Sequence, residues 1–457
     1  MNRIPAISTI LLTLVSSLFA QVNVRPLNQM EIEERIHRAV YDTRIIDTHE
    51  HFYSEELVLT TYSLDFCNLF LHYQADDFIS AGLKDNKSNL LEILRGRDIS
   101  EDEKWLLVKD FWKDTRTNGY GRAAIAAASG LFGVDDINDQ TYKDLSKKVR
   151  ELHKAGFYKQ VLVDKAKIDI CIIMNTKDLP PRDMDQNYFR SLFGSDWFCR
   201  FVGYQNFQKV TEAYKRSDVT SLDDYGLLMD SIFNENKKKN FLGLKVGWAY
   251  GRTLQCDDVS EEVAINIFQE MKDNPQKKYS MKEAKPLQDY LFNRVLELCE
   301  KYDFPVQIHS GLQTGNGGDI TNTNPLNLIS TFLKFPKVRF SILHSSYPYG
   351  GELAALAKTF PNVYIDMAWT TTISPSFSIR YLQEFIETVP SNKIMVFGGD
   401  CSTVESAYGA SMVTRDVVEK TLVMMLDNGY LNEIEALELV KKLLRENAIN
   451  FYKLNEY

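Results

Sequence analysis

Paired cysteines, long apolar runs and a basic surface are all scarce in this sequence, and each scarcity narrows the range of functions. Lys and Arg number 53 against 62 Asp and Glu, for a formal net charge of −9. Nucleic acids and anionic membranes both reward a basic surface, so neither is expected as a partner. No long block of like charge is present; Asn236-Lys237-Lys238-Lys239-Asn240 reads as a solvated helix end. Beyond the N-terminus no stretch is long and apolar enough to span a bilayer, so no membrane span is expected in the mature chain. The six cysteines (Cys67, Cys171, Cys199, Cys256, Cys299 and Cys401) show no C-x-x-C spacing and are too few to scaffold 457 residues. Cys171, in an apolar strand, and Cys299, in a helix, read as buried free thiols.

Several catalytic signatures are missing as well. No G-x-G-x-x-G follows the first strand, which disfavours a doubly wound nucleotide-binding sheet. His49-Glu50-His51 is not H-E-x-x-H, and no G-x-S-x-G is present, so zincin and serine-hydrolase chemistry are set aside. Gly315-Asn316-Gly317-Gly318-Asp319 lacks the Lys-Ser/Thr of a phosphate loop.

At the N-terminus Arg3 precedes an apolar stretch from Ile7 to Phe19, and Ala20 supplies a small residue at a cleavage position. This pattern predicts an export signal over residues 1–20 and a mature chain of 21–457 in the periplasm or outside the cell. The mature chain is long enough for one large core, and 44% hydrophobic with 25% charged residues is the composition of a globular protein.

Strand-like segments are predicted at Arg44–Phe52, Lys167–Asn175, Phe198–Asn206, Phe241–Tyr250, Pro305–Gly311, Arg339–Ser346, Val363–Trp369 and Lys393–Ser402. Amphipathic helical segments lie between them, among them Leu287–Tyr302, Glu352–Phe360 and Tyr381–Val389. Eight strands alternating with helices predict a (β/α)8 barrel of the TIM type. Residues 53–165 carry helical periodicity and few strand signals, and are read as a helical insertion between strands one and two, over the catalytic mouth. The tail, Val404 to Phe451, is predicted helical and packed outside the barrel.

Barrel enzymes place catalytic groups at the C-terminal ends of their strands. Four of the seven histidines fall there: His49 and His51 after strand one, His309 after strand five and His344 after strand six. Asp400 ends strand eight. Alternation along a strand puts His49 and His51 on one face, able to grip one ion. Three histidines and a carboxylate, with room for water, suit a catalytic divalent metal, which lowers the pKa of bound water to about 7. Asp400 would ligate the metal and take the proton of the water, and His344 would orient the hydroxide or polarise the substrate carbonyl. The other three histidines, His37, His72 and His153, read as surface or packing residues.

Lys245 on strand four has three readings: a carbamylated bridge between two metals, a cation for an anionic substrate, or the partner of a barrel carboxylate. Substrate contact or pairing, with one metal, is favoured because barrels seldom bury an unpaired lysine. Arg252 in the following loop could hold a carboxylate by two parallel bonds. Tyr347 after strand six, and Arg116 and Tyr120 in the insertion, are the other candidate substrate contacts, against ordinary packing for the aromatics.

The set His49-x-His51, His309, His344 and Asp400 resembles the amidohydrolase superfamily, in its amidohydrolase 2 branch. His344-Ser345-Ser346-Tyr347-Pro348, Asn362-Val363-Tyr364-Ile365-Asp366, Leu244-Lys245-Val246, Asn324-Pro325-Leu326 and Asn447-Ala448-Ile449-Asn450-Phe451-Tyr452 look like the amidohydrolase-like domain fused to glutamine-synthetase-like modules in some fungal and plant proteins. The resemblance runs from about Arg44 to the C-terminus. It implies a (β/α)8 barrel and usually zinc, with His49, His51, His309 and Asp400 as metal ligands and His344 as a catalytic partner. The superfamily also holds decarboxylases and uronate isomerases on the same ligands, so fold does not settle the reaction. An export signal and the lack of a glutamine-synthetase module set this chain apart.

The combined expectation is an exported enzyme with one divalent metal, zinc, hydrolysing a C–N or C–O bond of a small polar or anionic substrate. A decarboxylase or uronate isomerase on the same barrel is the alternative, and a barrel that binds without turnover is the alternative outside enzymes. A homo-oligomer is compatible with everything above.

Overall fold

The structure, a computed structural model, describes residues 27–175 and 186–454. The predicted export signal therefore lies outside the described residues. Eight parallel strands run in sequence order: β1 (Ile45–Glu50), β2 (Ile168–Asn175), β3 (Phe189–Gly194), β4 (Gly243–Val246), β5 (Val306–Ile308), β6 (Phe340–Ile342), β7 (Val363–Asp366) and β8 (Ile394–Met395). The segment after β8 returns to β1: Thr48 N donates to Phe397 O at 3.0 Å, His51 N to Cys401 O at 2.9 Å and Asp400 N to His49 O at 2.8 Å. Those bonds close the ring, and the architecture is the expected TIM barrel.

Burial explains the strand sequences. All six residues of β1 are buried, and so are β4, β5, β6 and β8 throughout. Strands covered on both faces read as continuous apolar runs, interrupted only where a polar group serves the barrel lumen. The third strand lies earlier than predicted. Phe198–Asn206, expected as strand three, instead holds the short helix Asp196–Cys199, a turn and the start of the helix Tyr204–Ala213. A short apolar run suits a buried helix turn as well as a strand, and only pairing with β2 and β4 selects Phe189–Gly194.

The β1 register also departs from simple alternation. A register shift between Asp47 and Glu50 lets these two carboxyls meet, and both are fully buried. Glu50 Oε2 accepts a bond from Cys401 N at 2.6 Å. Burial raises both carboxyls, Asp47 to about 7, and the neighbouring Asp47 raises Glu50 further.

Between β1 and β2 the chain is helical. Helix α1 (Leu27–Asp42) leads into β1; α2 (Glu55–Thr61), α3 (Tyr73–Ser80), α4 (Lys87–Arg95), α5 (Glu101–Thr115), α6 (Gly119–Phe132) and α7 (Tyr142–Leu152) follow it. Ser100 and Glu103 form a capping box at the start of α5, and Asn118 caps α6. Helix α6 packs closely on the long helix Val404–Asp427 through small residues: a Cβ on Gly409 would lie 2.1 Å from Ala123 O. A buried contact reinforces that joint, with His153 Nε2 3.0 Å from Glu405 Oε1 and Asn68 Nδ2 donating to the same oxygen at 3.3 Å.

The tail does not lie wholly outside the barrel. Phe451 and Tyr452 of the last helix, Asn447–Tyr452, pack with Ile46, Ile172, Met174, Leu192, Leu242 and Met395 to plug the lumen. This plug bears on the site, because Gln307 Nε2 donates to Tyr452 Oη. All six cysteines are buried and free. No helix among the described residues is long and apolar enough to cross a membrane.

Candidate metal centre and its cavity

Five strand-end residues meet at the C-terminal mouth. His49, His344 and Asp400 offer ligand atoms that all lie within 4.8 Å of one another. Asp400 Oδ1 is 2.9 Å from His51 Nε2 and 3.4 Å from His49 Nε2, yet makes no aligned hydrogen bond. Asp400 Oδ2 is 3.7 Å from His344 Nε2, and His344 Nε2 is 3.0 Å from His309 Nδ1.

The hydrogen-bond partners assign the tautomers. His344 Nδ1 is 2.9 Å from Ala368 O and His309 Nε2 is 2.9 Å from Leu312 O. A carbonyl only accepts, so both of these nitrogens carry hydrogens and donate. His49 Nδ1 meets Gln307 Oε1 at 2.8 Å, while the amide nitrogen of Gln307 donates to Thr48 O at 2.7 Å. With its NH2 so engaged, Gln307 accepts and His49 donates. His49 and His344 thereby turn lone pairs, not N–H groups, toward the Asp400 carboxylate, and the His309 Nδ1 lone pair faces His344.

Burial pushes His49 down to about 4 and His344 to about 3, and holds His309 well below its usual range. Burial also opposes charge on Asp400, but His49 and His51 outweigh it and hold the carboxyl well below the usual range. The lone pairs of His49 and His344 beside an ionised carboxylate, with His51 at its other side, suit a divalent cation. The residues fit a metal. Second-sphere bonds from Gln307, Ala368 and Leu312 fix the ring orientations such a site requires.

Backbone strain accompanies the site. His344, Ser345 and Ser346 have φ of +63°, +48° and +51°, and Asp400 has φ +53°. Left-handed conformations in non-glycine residues persist only where the surroundings hold them, as at the strand ends here.

His49, His51, His309 and Asp400 line a cavity of about 480 Å³. Lys245, Asp196 and Tyr250 line it from the barrel, and His72, Tyr73, Lys87 and Arg95 from the insertion. His72 was read from sequence as a packing residue. Its φ of +80° and ψ of −100° break the helix expected over that stretch, and its ring comes within 5.6 Å of the His51 ring. Tyr73 follows it into the cavity and stacks on Trp369 at 4.2 Å. Gln307 also escaped the sequence reading, as a neutral side chain in mid-strand gives no local signal.

The four side chains named as substrate contacts do not line this cavity. Arg252 is buried with Asp289 at 2.6 Å and over the Trp248 ring at 4.2 Å, so its charge serves the wall behind β4. Arg116 pairs with Asp136 on the insertion. Tyr120 is stacked behind Tyr73 and borders a separate small apolar cavity. Tyr347 packs its ring on Phe377. Each finds a partner within its own helical layer, which their positions in the sequence do not reveal.

Residues 269–454, which include His309, His344 and Asp400, match the family model described as amidohydrolase. Over that stretch, less than half of its length, the chain is similar to the amidohydrolase family. FluG of Emericella nidulans is 33% identical over 180 residues, 38% of this chain. The match spans 21% of FluG. The fold of this barrel is shared with solved structures of low identity. The uronate isomerase of Thermotoga maritima has a TM-score of 0.74 at 16% identity, covering 92% of this chain and 97% of its own. The glucuronate isomerase of Caulobacter crescentus has a TM-score of 0.74 at 17% identity, covering 96% and 98%. A protein of Lactobacillus casei described as a metal-dependent hydrolase has a TM-score of 0.60 at 17% identity, covering 92% and 98%.

Proposed function

We propose that this chain is an amidohydrolase-type enzyme with one bound divalent metal, zinc, that hydrolyses a C–N or C–O bond of a small polar substrate. The observation that carries the reading is the convergence of the His49 and His344 lone pairs on Asp400, whose Oδ1 has no hydrogen-bond partner. His49, His51, His344 and Asp400 would hold the ion, with His309 beside His344. A divalent cation bound there supplies Lewis acidity and lowers the pKa of water at neutral pH. Asp400 Oδ1 is placed to accept the proton of the attacking water and return it to the leaving group. The Ala368 carbonyl fixes His344 with Nε2 turned toward Asp400, as a holder of the ion would need. The insertion, through His72 and Tyr73, covers the mouth and limits water access.

A second reading is favoured by the full-length fold likeness to the two uronate isomerases, which covers 92% and 96% of this chain. In that case the same groups move a proton between adjacent carbons of a sugar acid. One experiment separates the readings: the metal-loaded protein is incubated with amide, ester and lactone panels and with uronates, and the products are identified. Hydrolysed acids support the proposal; a ketose from a uronate replaces it with the isomerase; turnover that is unchanged by chelation removes both. Export is part of the proposal, and cell fractionation with N-terminal sequencing tests it.

A further inference from the structure

One cavity residue has no structural partner to explain it. Lys245 comes off β4 at 6% exposure, lines the cavity and leaves Nζ without a hydrogen-bond partner. Asp400, Asp366 and Asp196 act on it only through space, and none makes an ion-pair contact. The other lysine and arginine in the lining are engaged. Lys87 Nζ donates to Asp76 Oδ2 at 2.7 Å and to Thr314 Oγ1. Arg95 Nε donates to Leu91 O at 2.9 Å, with its guanidinium over the Tyr62 ring. Among the described lining residues, Lys245 is the buried cationic side chain with none of its donors used.

A buried ammonium with no acceptor is costly unless something enters to pair with it. We infer that Lys245 anchors a carboxylate group of the substrate, so that the cavity selects small carboxylate-bearing molecules. This rests on the reading of the cavity as an active site. Burial pushes the lysine down to about 7 against the pull of Asp400, Asp366 and Asp196, and an arriving carboxylate favours the charged form. A phosphoryl group fits less well. Asp196 and Asp400 line the same space and would repel a dianion. The nearby glycine-rich loop offers no free cradle, since Thr314 N bonds to Tyr250 Oη at 3.4 Å and Gly315 N to Asp76 Oδ2 at 3.1 Å. About 480 Å³ suits a compact organic acid.

Calorimetric titration of the full chain, metal-free and zinc-loaded, with succinate against succinamide and D-glucuronate against D-glucose tests the inference. The expected result is about tenfold or greater preference for a carboxylate over its neutral counterpart in both forms. Lys245→Met should abolish that preference while keeping bound zinc and the melting temperature. Should the variant not fold, acetylation of Lys245 in the unaltered protein, read by peptide mass spectrometry, should slow in succinate or D-glucuronate and not in the neutral probes. Equal binding of charged and neutral probes, a preference that survives in Lys245→Met, no binding of either acid, or an intact mass showing carbon dioxide added at Lys245 would each overturn it. Carboxylate preference without zinc binding would sink the metal-enzyme reading and spare this one; zinc-dependent turnover without the preference would do the reverse.

Discussion

His309 Nδ1 and His344 Nε2 lie 3.0 Å apart, and each ring has its other nitrogen committed to a backbone carbonyl. Two neutral imidazoles held in this way oppose lone pair to lone pair. The arrangement is relieved by a cation or a proton between or beside them, so the apo protein should be stabilised by a metal. Zinc at about 100 times its Kd should add about 2.7 kcal/mol and raise the melting temperature by a few degrees. Chelation should reverse the shift. A melting curve that ignores both zinc and chelator would remove the metal from the picture.

Gln307 is the least obvious residue of the site. It accepts from His49 Nδ1 and ties that ring to the Tyr452 plug through its amide nitrogen. Gln307→Leu should keep the barrel folded and weaken zinc binding about 10- to 100-fold, as loss of a second-sphere partner does. Competition with a chromophoric chelator measures this, and an unaltered affinity would count against the role.

The insertion is joined to the barrel partly by His153 and Glu405, 3.0 Å apart and buried. Burial opposes a charge on His153, but Glu405 outweighs it and the pKa is raised from the usual 6.5. A raised folded-state pKa gives stability that is full below about 6.5 and lost as pH climbs through the folded value. The urea-midpoint gap between the natural protein and His153→Gln should therefore be larger at about pH 6 than at about pH 9. A gap that is constant or grows with pH would contradict the pairing.

Two helical glycines should respond in opposite directions. Gly409→Ala puts a methyl 2.1 Å from the Ala123 carbonyl and should destabilise by about 1–3 kcal/mol. Gly226, in the helix Leu222–Lys238, has nothing within 4 Å of its would-be Cβ. Gly226→Ala should stabilise by about 0.5–1 kcal/mol. Chemical denaturation of both variants checks the pair, and the same sign in both would show the α6 joint to be loose.

Much of the frame was legible from local pattern. Ile45 and Ile46 before His49-Glu50-His51, the apolar runs ending at His309 and His344, and Lys393–Ser402 ending at Asp400 all mark strand ends, because buried strands read as apolar runs with polar termini. Strand three was misplaced because Phe198–Asn206 carries the same apolar signal in a helix and turn. His72 was missed because its cavity position depends on a strained backbone angle that no spacing encodes. Arg252 was over-read: a lone arginine after a strand looks free until Asp289, 37 residues further on, is brought beside it.

By itself the sequence determined the alternation of eight strands with helices, the large insertion after the first, and which residue types stand at the strand ends. Those follow from periodicity and burial, which are local properties. Only the tertiary structure decided which nitrogens of the imidazoles are free, that Gln307 and Tyr452 stand behind His49, and that Lys245 is left without a partner. Hydrogen-bond partners across a barrel come from strands hundreds of residues apart, and the direction of a lone pair exists only once those strands have closed.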